Sequence, residues 1–158
     1  MRNGLNFSSN DYRFLLSSYL GVLSEKTKIV RLDSGKNIRV NRFRAPFTCW
    51  GFVCYVLRRH FGVEKDILKD KLYVKDAWKD LGNHIDCGEE KALDLIFFEK
   101  KRYGIFVPGH VGIVTSRKRQ EYIHAPGKAN SKISFAEYEY GQDGLLGFKR
   151  IIDPSLIE

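Results

Sequence analysis

Apolar positions along the chain recur first at a helical period and then at a strand period, with the change falling near Gly82. The first 24 residues read as a helix, built on the apolar run Phe14-Leu15-Leu16 and Tyr19-Leu20 and capped by Ser9 or Asn10. Residues 28–32 and 37–40 then alternate apolar and polar on either side of Asp33-Ser34-Gly35-Lys36, a hairpin pattern. From Thr48 to Phe61 the residues Phe52, Val53, Val56, Leu57 and Phe61 return at helical spacing, and Gly62 stands where a left-handed residue ends a helix. A more polar helical stretch follows over about 64–81, in one or two pieces. Beyond Gly82 the apolar runs are short: 93–98, 105–107, 110–115, 121–125 and 146–152. Helices first and strands later predict an α+β fold, with a mostly antiparallel sheet packed on the helices.

Composition narrows the class. The chain has 158 residues, 43% of them hydrophobic and 13% aromatic, enough to bury a full core, and this excludes intrinsic disorder. No Gly/Ser linker or internal repeat divides it, so 1–158 reads as one unit, with 1–44 as an N-terminal helix and basic hairpin extension. No run of eighteen apolar residues occurs, which excludes a membrane-spanning helix. The stretch 14–23 has the length of a secretory signal, but Asp11 lies before it, Ser and Tyr interrupt it, and no small-x-small cleavage site follows closely. It reads as the first helix, so the protein is expected to be made in the cytoplasm, with any export by a secretion machine, phage or other non-classical route.

The net charge is +8, and much of it is local. Lys26, Lys28, Arg31, Lys36, Arg39, Arg42 and Arg44 are opposed between 26 and 44 by Asp33 alone. Such a face suits an anionic polymer, an anionic membrane or simply solvent. It accompanies no nucleic-acid motif, so nucleic acid is not an expected partner. Neither metal-ligand spacing nor a phosphate-cradling glycine loop occurs, and no cofactor is expected.

The chemistry lies with cysteine and histidine. Cys49 falls where Thr48 reads as an N-cap, so its sulfur faces a helix N-terminus, where amide N–H groups lower a thiol pKa. Cys54 is about 140° further around that helix and reads as core, while Cys87 lies in a loop. With an odd count, at least one thiol is expected to be free. Of the four histidines, His110 and His124 fall on consecutive strands. A hairpin centred on Arg117 would set them directly opposite one another on one face, where one imidazole orients the other. A slip of one residue would separate them.

Four blocks in order, Thr48-Cys49-Trp50-Gly51-Phe52-Val53, Leu93-Asp94-Leu95-Ile96-Phe97-Phe98, His110-Val111-Gly112-Ile113-Val114 and Tyr122-Ile123-His124-Ala125-Pro126, resemble the motifs of the NlpC/p60 cysteine peptidases over about residues 45–150. The resemblance implies a papain-like fold and a catalytic domain that hydrolyses amide bonds in peptidoglycan stem peptides, often between D-glutamyl and diamino-acid residues. It assigns Cys49 as nucleophile, His110 as general base and His124 as the polar residue that orients it. Thr48 and Trp50 then stand at substrate-binding positions, and Asp94 is structural. The implied partner is a peptidoglycan peptide, with room for an inhibitor or immunity protein. Where the family has Asp-Cys-Ser-Gly this chain has Thr48-Cys49-Trp50-Gly51, and where it has Gly-Asp-Leu this chain has Leu93-Asp94-Leu95, so substrate specificity is expected to differ. The rival readings are a papain-like thiol amidase or acyltransferase on a non-wall substrate, whose histidine block normally precedes the cysteine, and a non-catalytic basic binding module.

Overall fold

The computed structural model describes residues 13, 15–21, 28–31, 37–40, 48–63, 74–126 and 132–152. Strands β1 (Lys28–Arg31) and β2 (Asn37–Val40) pair antiparallel, Lys28 with Val40 and Arg31 with Asn37, as the alternating pattern predicts. The turn between them, the expected N-caps Ser9 and Asn10, and the stretch 64–73 lie outside the described residues. Near the N-terminus, Arg13 and residues 15–17 are helical, and the chain then turns through 18–21. The expected helix therefore stops early. Amides of Ser18, Tyr19 and Leu20 bond carbonyls three residues back, and Gly21 takes a left-handed φ of 75°, which breaks the helical path.

Helix α1 (Cys49–Phe61) forms as its pattern predicts. Thr48 caps it by accepting a hydrogen bond from the Gly51 amide at 2.9 Å, and a Cβ at position 51 would sit 2.9 Å from that same oxygen, so any larger residue there would have to displace the hydroxyl. At the other end Gly62 is left-handed, and the Val63 amide returns to the Leu57 carbonyl at 3.1 Å. Phe52, Val53, Val56 and Leu57 are fully buried, each contributing roughly 1.5–3 kcal/mol by leaving water. Tyr19 packs edge-on against Phe52 and its hydroxyl meets His60 Nε2 at 2.5 Å, which fastens the N-terminal segment to the helix. Helix α2 (Val74–Asp80) follows, burying Val74 and Ala77.

Six further strands make one sheet: β3 (Asn83–Ile85), β4 (Leu95–Arg102), β5 (Ile105–Ser116), β6 (Glu121–His124), β7 (Ser134–Glu137) and β8 (Leu145–Arg150). Their order is β3-β8-β4-β5-β6-β7, and every pairing is antiparallel. Alternation splits the strands between two apolar layers. Leu95, Phe97, Val111, Ile113 and Ile123 join the α1 residues in the main core, while Ile96, Val114, Tyr122, Tyr138 and Phe148 pack on the other face. The fold is α+β, with helices packed on a mostly antiparallel sheet.

Four details depart from the sequence expectations. β4 starts at Leu95, because Leu93 is left-handed (φ 78°) and Asp94 is fully buried below it. It then runs four residues past Phe98 as a ribbon with β5. The two expected strands at 105–107 and 110–115 are one strand, since Phe98 pairs with His110 and Glu99 with Pro108, so that Gly109 is bulged out and the proline is tolerated. Strands β3 and β7 escape the hydrophobic pattern because they are short and largely exposed or half-buried.

The Asp94 carboxylate is a structural centre. It accepts from the Lys91 amide at 2.8 Å and, in a two-point clasp, from Arg150 Nε and Nη2 at 2.8 and 2.7 Å. Asp94→Ala removes the carboxylate from Arg150 and leaves its Nη2 only the Glu89 carbonyl at 3.2 Å, and the protein is expected to lose about 3 kcal/mol, read as a lowered urea midpoint at unchanged slope; no loss would show that the clasp is replaceable by water.

Candidate active site

Cys49 is the first residue of α1, and only 9% of its surface is exposed. The helix packs on β5 and β6, so its N-terminus is set beside Val111, whose strand neighbour β6 has already ended at His124. Burial pushes the Cys49 thiol pKa up. Backbone amides of Val111, Trp50 and Cys49 and the charge of Lys100 pull the other way, and they do not win. The expectation of a lowered thiol pKa is therefore corrected: the helix-end effect is present, but desolvation of the buried sulfur exceeds it.

His110 and His124 meet directly, His110 Nε2 lying 2.7 Å from His124 Nδ1 with the rings nearly perpendicular. The expected register is corrected too. Ile113 pairs with Ile123 and Val114 with Tyr122, so His124 falls opposite Gly112 and is the diagonal neighbour of His110. The turn spans 117–120, with Gln120 left-handed (φ 48°), and a bulge leaves Thr115 unpaired. Together these move the pairing by two residues. Two is the side-chain period of a strand, so the histidines keep a common face. Gly112 is what lets the strands close there, because a Cβ would stand 2.6 Å from the Tyr122 ring.

Phe98 and Tyr122 flank the pair, with ring centroids 6.0 Å from His110 and 5.0 Å from His124 respectively. This burial, with Lys100 nearby, holds both imidazoles well below the ordinary histidine pKa, and they are neutral at neutral pH. His110 Nδ1 is the one buried side-chain nitrogen or oxygen among the described residues with no hydrogen-bond partner. Cys49 and His110 are thus not hydrogen-bonded to each other, while His110 and His124 are.

Of the other sequence candidates, Thr48 is exposed and spends its hydroxyl on the cap, and Trp50 is 6% exposed within the main core. All three cysteines are free. Cys54 packs half-buried on the core, its pKa pushed up to about 12 by burial, and Cys87 is exposed. Among the described residues no three His, Cys, Asp or Glu side chains gather as a metal set. Sequence reasoning missed Lys100. This exposed residue on β4 crosses the bulge, so that a Cβ on Gly109 would lie 2.8 Å from the Lys100 Cβ, and its charge acts on Cys49, His110 and His124 alike. The signal available was Pro108-Gly109 inside a strand, which marks a bulge and a close approach.

The packing of helices on a mostly antiparallel sheet gives the fold an NlpC/p60-like form. A solved structure from Staphylococcus aureus, described as similar to lipoprotein, NLP/P60 family, is similar to this chain with a TM-score of 0.56 and 20% identity, covering 97% of this chain and 45% of that one. The chain thus spans just under half the length of that protein. No family model and no curated protein matches the chain.

Alkylation followed site by site by mass spectrometry should give a Cys49 midpoint above the ordinary thiol value of about 8.5, with exposed Cys87 modified first. Lys100→Met removes a cation that favours the thiolate, so it should move the Cys49 midpoint further up; an unchanged midpoint would mean that the lysine charge is screened from the sulfur.

Proposed function

We propose that the protein is a cysteine hydrolase that cleaves an amide bond in peptidoglycan stem peptides, of the D-glutamyl to diamino-acid type, with Cys49 as nucleophile, His110 as general base and His124 as its orienting partner. The observation that carries this reading is the unpartnered Nδ1 of His110, a buried nitrogen on a residue next in sequence to the Val111 amide that meets the Cys49 sulfur. Its other nitrogen is taken by His124. If His110 Nε2 carries the proton and donates to His124 Nδ1, then Nδ1 holds a lone pair aimed at no protein group. A buried acceptor without a partner is tolerated more readily than a buried N–H, which favours that tautomer.

In the proposed reaction the Cys49 sulfur attacks the carbonyl carbon as its proton passes to His110 Nδ1. The backbone amide of Cys49 faces the developing oxyanion, and one such donor supplies about 3–4 kcal/mol of transition-state stabilisation. His110 then gives the proton to the leaving amine, the C–N bond breaks, and a thioester remains. Water, losing a proton to His110, attacks the thioester, releasing the carboxylic acid and restoring the thiol. Thr48, exposed beside the nucleophile, and the small exposed edge of Trp50 are the substrate-side contacts of this reading. The domain boundaries 1–158, with 1–44 as an extension, belong to the same proposal.

Digestion of purified peptidoglycan, with fragments identified by mass, tests it. Cys49→Ala and His110→Ala should each lose about 10³-fold or more in rate, and His124→Ala less than either. Fragments released equally by Cys49→Ala, or no fragments from any wall chemotype, would overturn it. The pH profile supplies a second test. A neutral imidazole is the working base, so the acid limb of kcat/KM should fall below the free imidazole value of about 6.5; a limb at or above it would mean that His110 is not the base.

A further inference from the structure

The β4–β5 hairpin leaves the sheet before it turns. β4 pairs with β8 only over Leu95–Phe98, and β5 pairs with β6 only from Ile113 onward, so beyond Glu99 the two strands pair with each other alone. The ribbon closes in a two-residue turn at Tyr103-Gly104, both left-handed (φ 52° and 79°). Its rungs have an unusual composition: Lys100 faces Val107, Lys101 faces Phe106, and Arg102 faces Ile105, one cation and one apolar side chain in each. Among the described residues nothing covers the end. Tyr103 is fully exposed, Ile105 is 65% exposed and Phe106 63%, while the Lys101 ammonium lies 5.9 Å from the Phe106 ring centre. Single exposed apolar residues are ordinary, but three together at the tip of a projecting ribbon are not.

We propose that this hairpin is a membrane anchor that seats tip-first on the anionic surface of a lipid bilayer. The choice of partner rests on charge complementarity and on the mixture in each rung. Three consecutive cations match anionic headgroups, and their long stems let the charges stay at headgroup level while Tyr103, Ile105 and Phe106 enter the acyl boundary. A hydrated wall polymer offers the apolar tip nothing to bury in. Nucleic acid offers the aliphatic Ile105 no stacking partner. Lys100 belongs both to the anchor and to the surroundings of Cys49, whereas Lys101, Arg102, Tyr103, Ile105 and Phe106 lie outside that site.

Co-sedimentation of the full chain with phosphatidylcholine vesicles, with and without phosphatidylglycerol, tests the proposal. Binding should require phosphatidylglycerol and weaken with salt. Ile105→Ser with Phe106→Ser should reduce partitioning by more than about tenfold, and Lys101→Gln or Arg102→Gln by about fivefold each, with circular dichroism unchanged. Tyr103→Trp provides a direct probe, its emission shifting to the blue and being quenched by brominated lipid when anionic vesicles are added. Absence of vesicle binding, or binding that both sets of substitutions leave intact, overturns the anchor. So does a loss confined to purified wall or to an oligonucleotide.

Discussion

Helix α1 carries four fully buried side chains on one face, Phe52, Val53, Val56 and Leu57, and it can bury them only by lying on the sheet beside β5 and β6. That single packing requirement places the site. Thr48 and Gly51 form the cap where the helix must begin, the N-terminus is brought to Val111, and Cys49 arrives there with its sulfur desolvated. Tyr19 then closes over the same helix through Phe52 and His60. The helix thus binds the N-terminal segment on one side and delivers the cysteine to the sheet on the other.

Burial also decides the electrostatics of the site. The same desolvation that raises the thiol pKa lowers both histidines, so every member of the cluster is driven toward its neutral form. The charge of Lys100, an exposed residue beside the Gly109 bulge, favours thiolate and disfavours imidazolium. The structural carboxylates have partners of their own. Asp94 is clasped by Arg150, Glu90 accepts hydroxyls from Tyr138 and Tyr140, and Glu121 is held by Arg13 and Thr115.

The elements that bury one face were legible in the sequence, and those that bury none were not. Helix α1 shows its period, its cap and its terminal glycine because core packing and backbone geometry demand all three. β3 and the outer half of β4 carry exposed residues, so no alternation marks them, and Lys100 was missed with them. The histidine register could not be read because it depends on a bulge at Thr115 and a left-handed Gln120, neither of which a hydrophobic pattern records. That both histidines share a face was nevertheless readable. The turn and the bulge together displace the pairing by two residues, and an even displacement preserves parity. The direction of the thiol shift was not readable, since it depends on how much water the folded helix terminus excludes.

The opposed shifts at Cys49 and His110 constrain the proposed chemistry. With the thiol raised and the imidazole lowered, a separated thiolate and imidazolium lie uphill of the neutral pair. A stored ion pair is therefore not the reactive form, and the proton must move as the carbon–sulfur bond forms. The arrangement compensates in one respect. A sulfur with a higher pKa is the stronger nucleophile once its proton leaves, because nucleophilicity falls as thiol pKa falls. In the proposed tautomer His124 accepts from His110 Nε2, a bond that strengthens as positive charge develops on the ring during transfer. In the proposed reaction the histidine pair acts in the transition state more than in the resting state, which is the condition for an interaction to accelerate a reaction.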